Sequence, residues 1–312
     1  MPVLATAALG VLFVVGQVIL YGIASVGLLI VDRSADPTTD LPVGLEVGLG
    51  LAGIAIALPL VLLAARFVQS RPAGTVSSVR GRLRWGWLST CLPPAVLTTL
   101  LMLAGATGLM RLTGAPGAPL AGGGQWVGIA AFLGGVAMLL VLVPVQAAAE
   151  EYVFRGWLLQ AIGAFTRSPW PAVTAQAVLF AAMHGRGTPW GFVDLVILGA
   201  VLGWLTVRTG GLEAAIALHA SRNLILLTLA AADGTLSLDR TAADMPWQGL
   251  VVDALTVLVY AAVVTRLARR RKVDTRAPVD GPPSAAADPG DQAVEQIGDG
   301  VVGEVAAARS DG

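Results

Sequence analysis

Three groups of polar residues could do chemistry, because each lies in a stretch that is otherwise apolar. Two adjacent acids and an arginine, Glu150, Glu151 and Arg155, occur within VPVQAAAEEYVFRGWLLQ. The segments FAAMH (Phe180–His184) and HASRN (His219–Asn223) contain the only two histidines of the chain. A charge at the centre of a membrane helix costs about 2.5–3.5 kcal/mol on insertion scales, so such residues are candidates for function.

Helical spacing predicts different roles for the two acids. Residues four apart share a face of a helix, whereas neighbours diverge by about 100°. Glu151 therefore lies one turn before Arg155 and is expected to form an ion pair with it. Glu150 is left without a local partner, free to face a cavity and to exchange a proton as a general base. The alternative is that all three are charges at the membrane interface.

The histidine segments repeat the four-residue spacing. Phe180 lies one turn before His184, so its ring is expected to pack beside the imidazole and hold it. His219 and Asn223 also share a face, and both can donate hydrogen bonds to an oxygen that becomes negative in a tetrahedral intermediate. The alternatives are an interfacial histidine and a hydrogen bond between helices. An acid, two histidines and an asparagine from three segments together favour a catalytic site.

Composition places these segments in a membrane protein. Hydrophobic residues make up 55% of the chain and charged residues 13%, against roughly 25% charged in soluble domains. A stretch of about 20 apolar residues crosses the bilayer as a helix. The sequence predicts an all-α bundle of about eight spans, the fifth of them short: Val3–Val31, Val47–Ala65, Trp85–Met110, Trp126–Ala149 with a helical continuation, Ala172–His184, Trp190–Val207, Ala214–Ala230 and Leu250–Leu267.

Charge distribution predicts the orientation. Basic residues are concentrated between Arg66 and Arg84 and again between Arg266 and Lys272, and such clusters stay on the cytoplasmic side. The loops that contain Asp32 and Asp239 are rich in acids. Eight spans with both termini in the cytoplasm satisfy this pattern, and the arginine-rich, alanine-rich composition is typical of a bacterial plasma-membrane protein.

The same pattern predicts three regions: N-terminal spans (residues 1–125), a catalytic core (126–272) and a cytoplasmic tail (273–312). The tail is rich in Pro, Ala, Gly and Asp and is expected to be disordered. Cys91 is the only cysteine, so no internal disulfide is possible. The expected partners are the lipid bilayer and a membrane-associated substrate, not nucleic acid; the oligomeric state stays open.

In order along the chain, the motifs Glu-Glu-x-x-x-Arg, Phe-x-x-x-His and His-x-x-x-Asn resemble the signature of the CPBP family. That family comprises CAAX prenyl endopeptidases and bacteriocin-processing enzymes, also called Abi-type intramembrane proteases. The resemblance extends from about Glu150 to Asn223 and implies an eight-helix endopeptidase that cleaves a peptide bond within a membrane cavity.

Carried onto this chain, the resemblance implies that Glu150 activates water and that His184 helps to orient or deprotonate it. It implies that His219 and Asn223 stabilise the oxyanion, and that Glu151 and Arg155 are the supporting pair. Prenylated substrates are not implied for a bacterial chain, where a peptide pheromone, a bacteriocin leader or a membrane-anchored regulator is an equally good substrate.

Several alternatives stay open at this level. Glu150, His184 and His219 could form a His₂Glu zinc site, as in a metalloprotease, or act in a metal-free mechanism that depends on the glutamate. A non-catalytic membrane scaffold or a bacteriocin self-immunity protein would use the polar groups as helix contacts. A proton-coupled transporter is the third alternative. Arg222 and Asp194 lie within spans, and the sequence does not assign them a role.

Overall fold

The structure is a computed structural model that describes residues 2–31, 43–115, 124–185, 187–237 and 241–277. This part of the chain is helical and contains no strand longer than an isolated bridge. The α-helices are α1 (Pro2–Val31), α2 (Val43–Ala55), α3 (Ala57–Leu63), α4 (Trp85–Leu112), α5 (Ile129–Glu151), α6 (Leu159–Gly163), α7 (Trp170–Met183), α8 (Pro189–Thr209), α9 (Glu213–Asp233) and α10 (Trp247–Arg270). The predicted all-α class is confirmed.

Seven helical segments of the described residues are long and apolar enough to cross a membrane. The remaining predicted span, the fifth, which the sequence already marks as short, is the 14-residue helix α7. Large apolar side chains are exposed along α1, α4 and α10, as expected where lipid and not water surrounds the bundle. The chain is therefore a multi-pass membrane protein.

Helix α9 occupies the centre of the bundle. It packs against α4, α5 and α8, and α10 closes the same group through contacts with α4 and α8. Its first seven residues, Glu213–His219, are all buried. Small side chains, among them Ala214, Ala215 and Ala217, allow the neighbouring backbones to approach closely. This packing brings His219 into the interior.

The chain stays helical after α5, as the sequence predicts. A seven-residue π-helical segment, Tyr152–Leu158, joins α5 to α6, and the whole segment from Ile129 to Gly163 is continuous. Single π-helical turns inside α-helices are rare and recur at functional sites. Here the wider turn begins directly after the two adjacent acids.

The basic loop before α4 binds the start of α9. The Arg84 side chain donates to both carboxylate oxygens of buried Glu213, at 2.8 and 2.6 Å. Gly210 ends α8 in the left-handed region, with φ 66°, the usual glycine position after a helix. Its carbonyl accepts a hydrogen bond from the backbone of Val79 in the same loop. These contacts hold the α8–α9 connection against the loop.

Some predictions concern residues outside the described ranges. Most of the tail (278–312) and the acidic loop at 32–42 are among them. The first residues of the tail are described: Val273 packs on the core and Asp274 forms an ion pair with Arg80 at 2.5 Å. The tail disorder, the three-region division and the cytoplasmic position of both termini stay predictions.

Candidate active site

The predicted ion pair within the first motif is present. Arg155 Nη1 donates to Glu151 Oε1 at 2.9 Å, and both side chains are fully buried. The guanidinium also lies over the ring of Phe180, 4.3 Å from its centroid, a cation–π contact. The pair is therefore held between the end of α5 and helix α7.

Glu151 has a second partner that the sequence did not predict. The same oxygen, Oε1, lies 2.7 Å from Nδ1 of His219 on α9. A carboxylate oxygen without a proton can only accept, so Nδ1 carries the ring hydrogen. The other ring nitrogen, Nε2, then faces Glu150, with 3.7 Å between Nε2 and Oε2. His219 lies between the two acids, oriented by one and facing the other.

Glu150 is hydrogen-bonded on one side and free on the other. Gln146 Nε2 donates to Glu150 Oε1 at 2.5 Å, and Asn223 Nδ2 donates to Gln146 Oε1 at 3.2 Å. The expectation that Glu150 lacks a local partner is therefore wrong: Gln146 lies one turn earlier on the same face. The other oxygen, Oε2, is buried and has no hydrogen-bond partner among the described residues.

The second motif forms the contact that its spacing predicts. The rings of Phe180 and His184 are 4.7 Å apart between centroids. His184 Nδ1 lies 2.8 Å from the carbonyl oxygen of Phe180, so Nδ1 donates and Nε2 is left with its lone pair. Phe180 also meets the ring of His219 edge-on at 6.0 Å. It thus lies between the two imidazoles.

A cavity of about 630 Å³ opens beside these residues. Glu150 and His184 both line it, whereas His219, Asn223 and Glu151 do not. Most of its wall is apolar and comes from α1, α2, α3 and the π-helical segment, with side chains such as Leu9, Phe13 and Trp157. The Glu151–Arg155 ion pair and the third motif therefore adjoin Glu150 without forming part of the cavity wall.

The structure also accounts for the two charges that the sequence left unassigned. Arg222 on α9 forms an ion pair with Asp253 on α10 at 2.8 Å. Asp194 on α8 lies against the same aspartate, and all three side chains are buried. Asp253 was missed in the sequence, although an acid in the middle of LVVDALTV carries the same signal as Glu150. This cluster joins α8, α9 and α10.

The zinc alternative does not fit this arrangement. In the part of the chain that the structure describes, no three His, Cys, Asp or Glu side chains converge closely enough to hold a metal ion. Glu150 and His184 line the same cavity. His219 instead binds Glu151 through Nδ1 and is not part of the cavity wall. The metalloprotease alternative gains no support from the geometry of the described residues.

Comparison with known proteins adds an independent finding. Residues 129–225 match the sequence family described as type II CAAX prenyl endopeptidase Rce1-like. Over this segment the chain is similar to the Rce1-like family. All three motifs lie inside the Rce1-like segment, from Glu150 to Asn223, and the family resemblance predicted from them is confirmed.

One curated relative is the uncharacterized protein YyaK of Bacillus subtilis, which is 30% identical over 198 residues. The match covers 62% of this chain and 62% of YyaK, less than two thirds of its length. No solved structure matches the chain. The Rce1-like segment excludes α1 and α10, so part of the cavity wall and Asp253 lie outside it.

Proposed function

We propose that this protein is an intramembrane endopeptidase that hydrolyses a peptide bond of a membrane-associated protein or peptide. The observation that carries the proposal is the free oxygen of Glu150. Oε2 is buried, has no hydrogen-bond partner among the described residues and belongs to a side chain on the wall of a 630 Å³ cavity. A carboxylate in this situation can accept a proton from a water molecule in the cavity. The Rce1-like family supports this reaction class.

In the proposed reaction, Glu150 takes a proton from water while the water oxygen attacks the carbonyl carbon of the substrate. The carbonyl electron pair moves onto its oxygen, giving a tetrahedral oxyanion. Collapse of this intermediate breaks the carbon–nitrogen bond, and Glu150 returns the proton to the leaving amine. One residue thus acts first as base and then as acid.

His184 orients the water in this scheme. Its Nδ1 hydrogen is committed to the Phe180 carbonyl, so Nε2 can accept the second hydrogen of the water. Two acceptors, Glu150 Oε2 and His184 Nε2, then hold one water molecule by both hydrogens. This arrangement directs a lone pair of the water oxygen away from both residues and toward the substrate carbonyl.

His219 and Asn223 stabilise the oxyanion in the proposal. With Nδ1 held by Glu151, His219 presents Nε2 on the side that faces Glu150, and a hydrogen on Nε2 would let the ring donate to the oxyanion. Asn223 keeps one N–H beyond the hydrogen bond that it donates to Gln146. Glu151, Arg155 and Phe180 support this pair by fixing the ring of His219 from two sides.

The cavity wall indicates the class of substrate. Because most of the wall is apolar, a polar soluble peptide would lose its hydration on entry without replacing it. An apolar peptide segment that already lies in the membrane incurs no such cost. The proposed location is the cell membrane, with the catalytic helices spanning it and both termini in the cytoplasm.

The test compares purified wild-type protein in detergent with Glu150→Gln on a library of quenched fluorescent peptides with apolar flanks. Glu150→Gln keeps the shape and an acceptor for Gln146 but removes the base, so cleavage is expected to fall at least about 10³-fold. A strong zinc chelator is expected to leave wild-type cleavage unchanged.

Equal cleavage by both proteins would remove Glu150 as the base. Loss of wild-type cleavage in chelator, restored by added zinc, would contradict the metal-free reaction. If biological function survived Glu150→Gln in cells, the non-catalytic scaffold or immunity alternative would replace the peptidase.

A further inference from the structure

Gln146 is buried, with 3% of its surface exposed, and lies outside the three motifs. Among the described residues, it is the one that hydrogen-bonds directly to the Glu150 carboxylate, and it also binds Asn223. Its amide bridges α5 and α9 at the position where two of the proposed catalytic residues would otherwise not touch. We infer that Gln146 is a positioning residue for Glu150. The inference rests on the proposed function.

Hydrogen-bond chemistry determines the direction of this bridge. An ionised carboxylate only accepts, so the NH₂ group of Gln146 must face Glu150. The carbonyl oxygen of the same amide then faces Asn223, which must present its own NH₂ group. Each amide has one orientation that satisfies both contacts, and the chain Asn223 to Gln146 to Glu150 is polarised toward the acid.

The bridge has two effects on Glu150. It occupies Oε1, so that Oε2 is the oxygen left without a hydrogen-bond partner among the described residues. It also donates a hydrogen bond to a charged group, which limits the rotation of the carboxylate. Without the bridge, the Glu150 carboxylate would rotate more freely.

The bridge also couples the base to the oxyanion site. Asn223 donates to Gln146 through one N–H and keeps the other. Its position relative to Glu150 is therefore set through the glutamine and not by direct contact. A variant without this amide is expected to lose catalytic rate and not substrate affinity, because Gln146 does not line the cavity.

The test uses Gln146→Met, which keeps the length of the side chain and removes both hydrogen bonds. The matched control is Gln176→Met on α7, because Gln176 is also fully buried but binds the backbone oxygens of Val173 and Gly199. Gln146→Asn is a second variant, in case the first does not fold: it keeps an amide but is one methylene too short to bridge.

Two quantities are measured on each protein in detergent. The first is kcat and KM against pH with the quenched peptide library. The second is independent of activity: the infrared carboxylate stretching band of Glu150, identified by its absence in Glu150→Gln. Gln146→Met is expected to lower kcat about tenfold or more at unchanged KM, since a hydrogen bond to a charged group is lost. The Glu150 band is expected to shift in frequency, because its carboxylate loses the hydrogen bond from Gln146.

Gln176→Met should change neither kcat nor the Glu150 band. An unchanged Glu150 band in both Gln146 variants overturns the inference, whatever the cleavage rate. A shifted band with an unchanged kcat also overturns it, because Gln146 would then bind the carboxylate without positioning the base. If the band shifts but wild-type protein cleaves no peptide, the peptidase proposal fails and the role in catalysis fails with it, while the hydrogen bond itself stands.

Discussion

Glu150 and Glu151 are neighbours of identical chemistry, yet replacing each by glutamine is expected to give opposite results. Glu151 binds Arg155 at 2.9 Å and His219 at 2.7 Å, with no part of its side chain exposed. Glu150 has one protein hydrogen-bond partner, Gln146, and faces the cavity. Glu151→Gln should therefore damage stability, and Glu150→Gln should damage activity alone.

The magnitude for Glu151→Gln follows from the partner left behind. Arg155 is fully buried, and among the described residues its Nε and Nη2 have no hydrogen-bond partner and Glu151 provides its ion pair. Stranding a buried charge costs about 3–5 kcal/mol. At about 2–4 °C per kcal/mol, the apparent Tm is expected to fall by roughly 6–20 °C.

Glu150→Gln removes a charge instead of stranding one. The new amide can still accept from Gln146, so its effect on the free energy of unfolding is expected to stay within about 1 kcal/mol. That corresponds to a Tm change of no more than about 4 °C. Cleavage should nevertheless be lost in this variant.

The assay is intrinsic tryptophan fluorescence during heating of each purified protein in detergent, at one scan rate because membrane proteins often unfold irreversibly. Trp157 is a suitable reporter, because it lies two residues after Arg155 and is 2% exposed. Equal Tm shifts for the two variants, or a stable Glu151→Gln protein, would refute the assigned division between a structural and a catalytic acid.

Two further predictions follow from the packing around the site. Asp253→Asn should destabilise the protein by about 3–5 kcal/mol because it strands Arg222, whereas Asp194→Asn should cost less than about 1 kcal/mol because Arg222 keeps its partner. Thermal unfolding of both variants measures this difference. Phe180→Leu should cost about 1–2 kcal/mol of stability and lower kcat several-fold, because the ring packs on both imidazoles; unfolding and peptide cleavage measured on the same preparation separate the two effects.

The opposite results would contradict the roles assigned to Asp253 and Phe180. If Asp194→Asn were the more damaging change, Asp194 and not Asp253 would be the counter-ion of Arg222. If Phe180→Leu lowered stability but left kcat unchanged, the ring would fill space without orienting either histidine.

Contacts within one helix were readable from the sequence because the 3.6-residue repeat fixes which side chains meet. The pairs Glu151–Arg155 and Phe180–His184 are both four residues apart, and both form as predicted. Gln146 and Glu150 have the same spacing. The same spacing rule predicts that contact. A neutral glutamine in an apolar segment, however, is a weaker signal of function than a charged residue.

Contacts between helices required the tertiary structure. Glu151 and His219 are 68 residues apart, and no repeat along the chain specifies how α5 is rotated against α9. The sequence therefore predicted that Glu150 faces a cavity, but it did not predict that Glu151 orients His219. The same limit applies to Arg222, whose partner Asp253 comes from another helix.

The membrane class, the helical architecture and the order of the motifs were determined by composition and local spacing alone. Apolar length and the cost of unpaired backbone in lipid leave helices as the only structure such segments can adopt, apart from closed barrels. The packing of α5, α7 and α9 decided that Glu150 and His184 line the cavity while His219 and Asn223 do not. That choice depends on side-chain fit across three helices, which is a property of the folded bundle and not of any one segment.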